Sequence, residues 1–161
     1  MKLLLLRHAE AVAGADMDSE RVLTPRGQLQ AAAMALRVAS ALPDAIVVSS
    51  PWVRARQTAD HIAQLVGADP VCLPELTPDV KPLQAAAALE SHLDGDKTLV
   101  LVTHQPLCGR LISWLTEGRA ESVMVTPCSG ALLELEWPAA GMARLLGWWD
   151  SSTTEVADNH G

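Results

Sequence analysis

The chain contains no Phe and no Tyr, and its five Trp are the only aromatic residues, so a hydrophobic core has to be built from Leu, Val, Ile and Ala. Cysteine is scarce as well. Cys72, Cys108 and Cys128 are widely spaced, odd in number and form no CxxC pair, which argues against a disulfide framework or a zinc site and fits a reducing compartment. No apolar run approaches the roughly 18 residues of a membrane span, and Leu3 to Leu6 is too short for a signal-peptide core and leads straight into Arg7 and His8. Basic residues are in deficit: 12 Lys and Arg against 19 Asp and Glu leave a net charge of -7. Nucleic acid and anionic membranes are therefore poor partners, because binding them rests on Lys and Arg neutralising phosphates. A soluble cytoplasmic protein is expected, and any arginines that do converge are informative.

What is present suits one globular domain. The 161 residues are 49% apolar and only 19% charged, enough for a single hydrophobic core. One domain over 1–150 is expected, followed by a polar, frayed tail over 151–161.

Lys2 to Leu6 is a continuous aliphatic run, as expected of a strand buried on both faces. Thr24 and Pro25 supply an N-cap and a first-turn proline for an Ala-rich helix to about Ala41. Ala45 to Ser49 reads as a second buried strand, and Ser50–Pro51 repeats the cap signal for a helix to about Val66. Val71 to Leu73 is a short strand candidate, and the prolines of Pro74 to Pro78 make that segment loop. Pro82 to Leu93 reads as helix, Thr98 to Thr103 as a third buried strand, and Gln105 to Glu117 as a helix closed by Gly118. Ala131 to Trp137 and Ala143 to Trp149 read as an antiparallel hairpin at a sheet edge. Alternating strands and helices with continuous apolar strands predict a three-layer α/β/α domain, with a mainly parallel sheet and an antiparallel edge.

In such sheets ligands sit beyond the carboxyl ends of the strands. That rule selects Arg7, His8, Ser49, Ser50, Thr103 and His104. The helix after the second strand adds Arg54 and Arg56 in its first turns. Arginine forks and helix N-termini are suited to a phosphoryl group, and a neutral imidazole is a competent nucleophile at phosphorus. His8 fits that role provided an acceptor holds its other ring nitrogen as N–H. His104 would donate to an equatorial oxygen in the transition state. His61 and His92, within helices, and His160, in the tail, read as surface or packing residues. HExxH spacing is absent and no further ligands accompany His8 and His104, so neither a metal nor a cofactor is expected. Trp148 and Trp149 alternate faces of a strand and read as packing residues.

Three segments resemble the histidine phosphatase (phosphoglycerate mutase-like) superfamily. LLRHAEA, from Leu5 to Ala11, is similar to its RHG-type signature, with Ala9 where glycine is usual. SSPWVRARQTA, from Ser49 to Ala59, is similar to its second motif, whose phosphate-contacting arginine precedes an alanine and maps to Arg54, leaving Arg56 a bystander. THQPLCG, from Thr103 to Gly109, is similar to the third, whose histidine maps to His104. The length, the segment DSERVLTPRG from Asp18 to Gly27 and the PELTP run most resemble the SixA-type phosphohistidine phosphatases. The resemblance covers about residues 1 to 135.

It implies a phosphoglycerate mutase-like fold and catalytic residues Arg7, His8, Arg54 and His104, with Arg21 as a substrate contact. It also implies a phosphatase acting on a phosphohistidine of a protein such as a phosphotransfer domain. Larger superfamily members carry an insert whose acidic residue protonates a leaving alkoxide, and this chain has little room for one. Glu75 is the first candidate acid that remains, with Asp18 and Asp79 behind it. A small-molecule phosphomonoesterase using the same residues stays open, as does a noncatalytic phosphate-binding module.

Overall fold

The computed structural model of the chain describes residues 1–152. The tail expectation and His160 fall largely on 153–161, outside the described residues; Ser151 and Ser152 directly follow the last strand.

Ten strands and α-helices alternate: β1 (Lys2–Arg7), α1 (Pro25–Ala41), β2 (Ile46–Ser49), α2 (Val53–Val66), β3 (Val71–Cys72), α3 (Pro82–Leu89), β4 (Leu99–Thr103), α4 (Leu107–Glu117), β5 (Ser129–Glu134) and β6 (Arg144–Asp150). The strands form one sheet in the order β3-β2-β4-β1-β5-β6. The pairs among β3, β2, β4 and β1 are parallel, whereas β5 runs antiparallel to β1 and to β6. The architecture is the three-layer α/β/α expected.

The continuous apolar strands have a direct reading. In β1, Leu4 and Leu6 pack with α1 and α2, among Ala31, Met34, Ala59 and Ile62. Leu3 and Leu5 face the other way, among Ala85, Leu89, Leu107 and Leu111 of α3 and α4. Strand β4 divides in the same manner, with Val100 and Val102 on the first side and Leu99 and Leu101 on the second. A strand covered on both faces has no polar side, so alternation disappears. The two cores are aliphatic apart from a few residues such as Trp149, whose ring also meets the Arg37 guanidinium at 4.0 Å, while Trp148 is half-exposed.

Helix α1 starts where the sequence signals it: the Thr24 hydroxyl accepts from the Gly27 N–H at 2.9 Å and Pro25 opens the first turn. Strand β5 covers Ser129–Glu134 rather than Ala131 to Trp137, and three other helix boundaries differ. Helix α2 begins at Val53 with Trp52 as its N-cap, because the Ser50 hydroxyl accepts from Trp52 N–H one step earlier. Helix α4 begins at Leu107 rather than Gln105, whose side chain bridges the Gly109 N–H and the Val123 carbonyl. The run to Leu93 is α-helical only to Leu89 and closes as a 3₁₀ turn over Glu90–His92.

Register places the chemistry. Arg7 lies opposite Thr103, and Ser49 opposite Val102. The residues that follow, His8, Ser50 and His104, therefore emerge at one edge. The antiparallel β5 starts at that same edge, and the Cys128 N–H donates to the carbonyls of both Arg7 and His8.

Candidate active site

His8 is held from three sides. Its backbone N–H donates to the Thr103 carbonyl at 2.9 Å, and its ring Nδ1–H donates to the Ala9 carbonyl at 2.7 Å. The Arg54 Nε–H donates to its Nε2 at 3.1 Å. A guanidinium has no acceptor, so Nε2 must carry the lone pair and Nδ1 the proton. The acceptor required from sequence reasoning is thus a main-chain carbonyl one residue away. Burial, helped by the positive charges of Arg54, Arg7 and Arg21, lowers the His8 pKa to about 4 against the pull of the Ala9 carbonyl. The ring is neutral at neutral pH.

Arg54 is almost wholly buried. Its Nη1–H donates to the Asp18 carbonyl at 2.7 Å, its Nη2 lies 3.3 Å from Asp18 Oδ2, and the guanidinium stands 5.0 Å from the centre of the Trp52 ring. Thr58, one turn further along α2, ties helix to strand. Its hydroxyl donates to the Arg54 carbonyl and accepts from the Ala9 N–H. Arg56 is exposed, on another side of the helix.

Arg7 donates from Nη1 to the Val125 carbonyl at 2.9 Å. The loop carrying Val125 is clamped to α4 at Gly109, where a Cβ would come within 2.0 Å of the Val123 oxygen, so no larger residue fits that approach. His104 is 1% exposed, with its ring centre 5.1 Å from that of His8 and 5.0 Å from that of Trp52. Its Nε2 shares a 2.7 Å hydrogen bond with the Ser50 hydroxyl. Burial, then the charges of His8 and Arg54, lowers its pKa to about 2.

Among the described residues three buried side-chain polar atoms have no hydrogen-bond partner, and two of them, Arg7 Nε and His104 Nδ1, belong to this cluster. Buried polar atoms without partners are costly. An anion with several oxygens would satisfy the Arg7 Nε–H, and His104 Nδ1 too when that nitrogen carries the ring proton.

Arg21 reaches the same neighbourhood, donating to the Val12 carbonyl at 2.6 Å and pairing with Asp18 Oδ1 at 2.9 Å. Asp18 therefore bridges Arg21 and Arg54, and the hydrogen bond from Arg21 keeps its carboxyl below the usual range. Glu75 is exposed on the 3₁₀ turn Pro74–Leu76 and borders a groove with Val80, Gln84 and Ala88; that turn is tied to the carboxyl ends of β2 and β4, the Leu73 N–H donating to the Ser49 carbonyl at 2.9 Å and the Thr103 hydroxyl to the Leu76 carbonyl at 2.6 Å. Asp79 is exposed too. A cavity of about 590 Å³ opens at the opposite, amino end of the central strands, between Lys2, Asp44, Asp96 and Lys97, and contains none of the cluster.

Sequence reasoning did not assign the Ser50, Trp52 and Thr58 contacts or the Val125 carbonyl. The first three fall inside the motif around Arg54. Nothing in the sequence marks a carbonyl 118 positions from the arginine that uses it.

Histidines and arginines gathered at the carboxyl edge of a three-layer α/β/α sheet, with buried polar atoms left unpartnered among them, define an enzyme class that handles phosphate. The chain belongs to the histidine phosphatase superfamily, and it is a hydrolase of the phosphatase kind. The family model for the histidine phosphatase superfamily (branch 1) matches residues 3–77. The chain is 30% identical over 132 residues to the phosphohistidine phosphatase SixA of Escherichia coli (strain K12), covering 78% of this chain and 81% of the relative. It is 26% identical over 167 residues to a SixA homolog of Haemophilus influenzae (strain ATCC 51907 / DSM 11121 / KW20 / Rd), covering 97% and 93% of the two chains. Among solved structures it is similar to the protein histidine phosphatase SixA complexed with tungstate, at a TM-score of 0.83 and 26% identity over 95% of this chain and 99% of that one. No helix among the described residues is long and apolar enough to cross a membrane.

Proposed function

We propose that this chain removes the phosphoryl group from a phosphohistidine borne by another protein, such as a phosphotransfer domain, through a phosphohistidine intermediate on His8. In this reading Arg7, Arg54 and His104 hold the phosphoryl oxygens and Arg21 contacts the substrate. A single domain over 1–150 does this without metal or cofactor, in the cytoplasm. The observation that carries the reading is the pairing at His8: Nδ1–H bound to the Ala9 carbonyl and a lone pair on Nε2 facing Arg54.

The Nε2 lone pair attacks phosphorus as the P–N bond to the substrate imidazole breaks. The departing ring carries a proton on its far nitrogen and leaves as neutral imidazole, so that step needs no acid from the enzyme. Water then attacks the phosphorus on His8, the P–N bond returns its electrons to Nε2, and inorganic phosphate departs with the water's oxygen. Arg7, Arg54 and the His104 N–H meet the charge that spreads over the equatorial oxygens.

The engagement of Asp18 favours a nitrogen leaving group over an alkoxide. Asp18 is tied to Arg21 and Arg54 and held in its ionised form. The names of the SixA relatives point in the same direction.

The test compares phosphate release from a phosphohistidine-bearing phosphotransfer domain and from a simple aryl phosphate, using wild type and His8→Ala. Fast release from the protein that depends on His8, with little from the ester, is expected. The reverse preference would assign a small-molecule phosphomonoesterase, and undiminished turnover by His8→Ala would remove His8 as nucleophile.

A further inference from the structure

Ser50 is fully buried immediately beyond the end of β2, its backbone N–H bonded to the Val102 carbonyl of β4 at 3.0 Å. Its position is therefore set by the sheet. A serine hydroxyl has one proton to give and two lone pairs to fill. The Trp52 N–H fills one of those lone pairs, and His104 Nε2 is the remaining partner at 2.7 Å.

Two proton arrangements are possible across that contact. Were Nε2–H to donate to the serine, the serine proton would need a further acceptor, and Nδ1 would present a bare lone pair to an arriving anion. If the serine donates to Nε2, both atoms are satisfied and the ring proton must sit on Nδ1. That nitrogen is buried and has no partner in the protein. The ring is neutral, its cationic form opposed by burial and by the neighbouring His8 and Arg54. It therefore has one N–H only, and which nitrogen bears it decides whether His104 attracts or repels a phosphoryl oxygen.

We infer that Ser50 is a positioning residue: by donating to His104 Nε2 it fixes the tautomer that turns Nδ1–H toward the phosphoryl group. The inference rests on the reading of this cluster as a phosphoryl-transfer site. Ser50 touches no reacting atom and acts through the ring of His104, as the Ala9 carbonyl acts through His8. The two histidines thus carry their protons on the same ring nitrogen for opposite purposes: one frees Nε2 as nucleophile, the other arms Nδ1 as donor.

The experiment is a two-bond ¹H–¹⁵N correlation spectrum of the ¹⁵N-histidine-labelled full chain at neutral pH. In wild type, His104 is expected to show a protonated, pyrrole-type Nδ1 and a bare, pyridine-type Nε2. The opposite pattern overturns the inference without any variant having to fold. Ser50→Ala should shift His104 toward the Nε2–H form and lower kcat by about tenfold or more, since a donor to the transition state is lost. KM should stay within about twofold, and Ser50→Thr, which keeps the hydroxyl, should recover both readouts. A fall in kcat with an unchanged tautomer would overturn the inference, because Ser50 would then act by packing alone. If wild type releases no phosphate from any substrate, the functional reading fails, while the spectrum still decides whether Ser50 sets the ring proton.

Discussion

The Nε–H of Arg54 is directed at Nε2 of His8 across 3.1 Å. The arginine proposed to grip the phosphate thus covers the lone pair proposed to attack it. A phosphoryl oxygen is anionic and a stronger acceptor than an imidazole nitrogen. In the proposed reaction such an oxygen would compete with Nε2 for the guanidinium.

From this pairing, Arg54→Ala should lower kcat/KM by about 10²–10³-fold, the usual cost of removing a donor aimed at developing charge. Arg56→Ala, which loses only an exposed side chain, should stay within about twofold. Arg54→Lys should recover little, because an ammonium cannot reproduce the planar fork. Steady-state kinetics on the three variants check this, and equal losses at 54 and 56 would count against the assignment.

The acid limb of activity should sit low. His8 must be neutral to attack, and burial together with the nearby arginines lowers its pKa to about 4. A profile of kcat/KM against pH should therefore fall only as pH drops toward 4, well below the ordinary histidine range near 6.5. An acid limb centred near 6.5 would show that His8 is more solvated in the free enzyme than its burial indicates.

Stability should follow pH with a definite sign. The pKa values of His8 and His104 are lowered on folding to about 4 and about 2, so between those values and about 6.5 the unfolded chain binds more protons than the folded one. The stabilisation from keeping both rings neutral is complete above about pH 6.5 and is lost progressively as pH falls toward 4 and below. Urea midpoints measured between pH 8 and pH 4 should decline through that window. His104→Asn should flatten the decline.

Thr58→Val should destabilise the fold by about 1–3 kcal/mol despite its matching shape, because it leaves the buried Ala9 N–H without an acceptor. Activity should fall too, since Ala9 supplies the carbonyl that orients His8. Chemical denaturation together with kcat measured well below the melting transition separates the two effects.

Much of the frame was legible because its signals are local. Continuous runs such as Leu3 to Leu6 require cover on both faces, Thr24–Pro25 starts a helix by its own cap chemistry, and Gly118 ends one at φ 78°. Boundaries slipped where a capping side chain was claimed by a distant partner. Ser50 reads as a cap, yet its hydroxyl reaches Trp52 N–H and His104, the latter 54 residues away.

The sequence by itself determined the class of fold and the strand ends that gather His8, Arg54 and His104, because strand periodicity is legible without knowledge of contacts, and resemblance to family motifs made those three the candidates. Tertiary structure alone decided what those residues can do. It engaged Asp18 with Arg21 and Arg54. It also set the protons on the two rings through a neighbouring carbonyl and, for His104, a buried serine. Tautomers and pKa values depend on burial and on hydrogen bonds of a few ångströms, and those distances exist only once β1, β2 and β4 lie side by side.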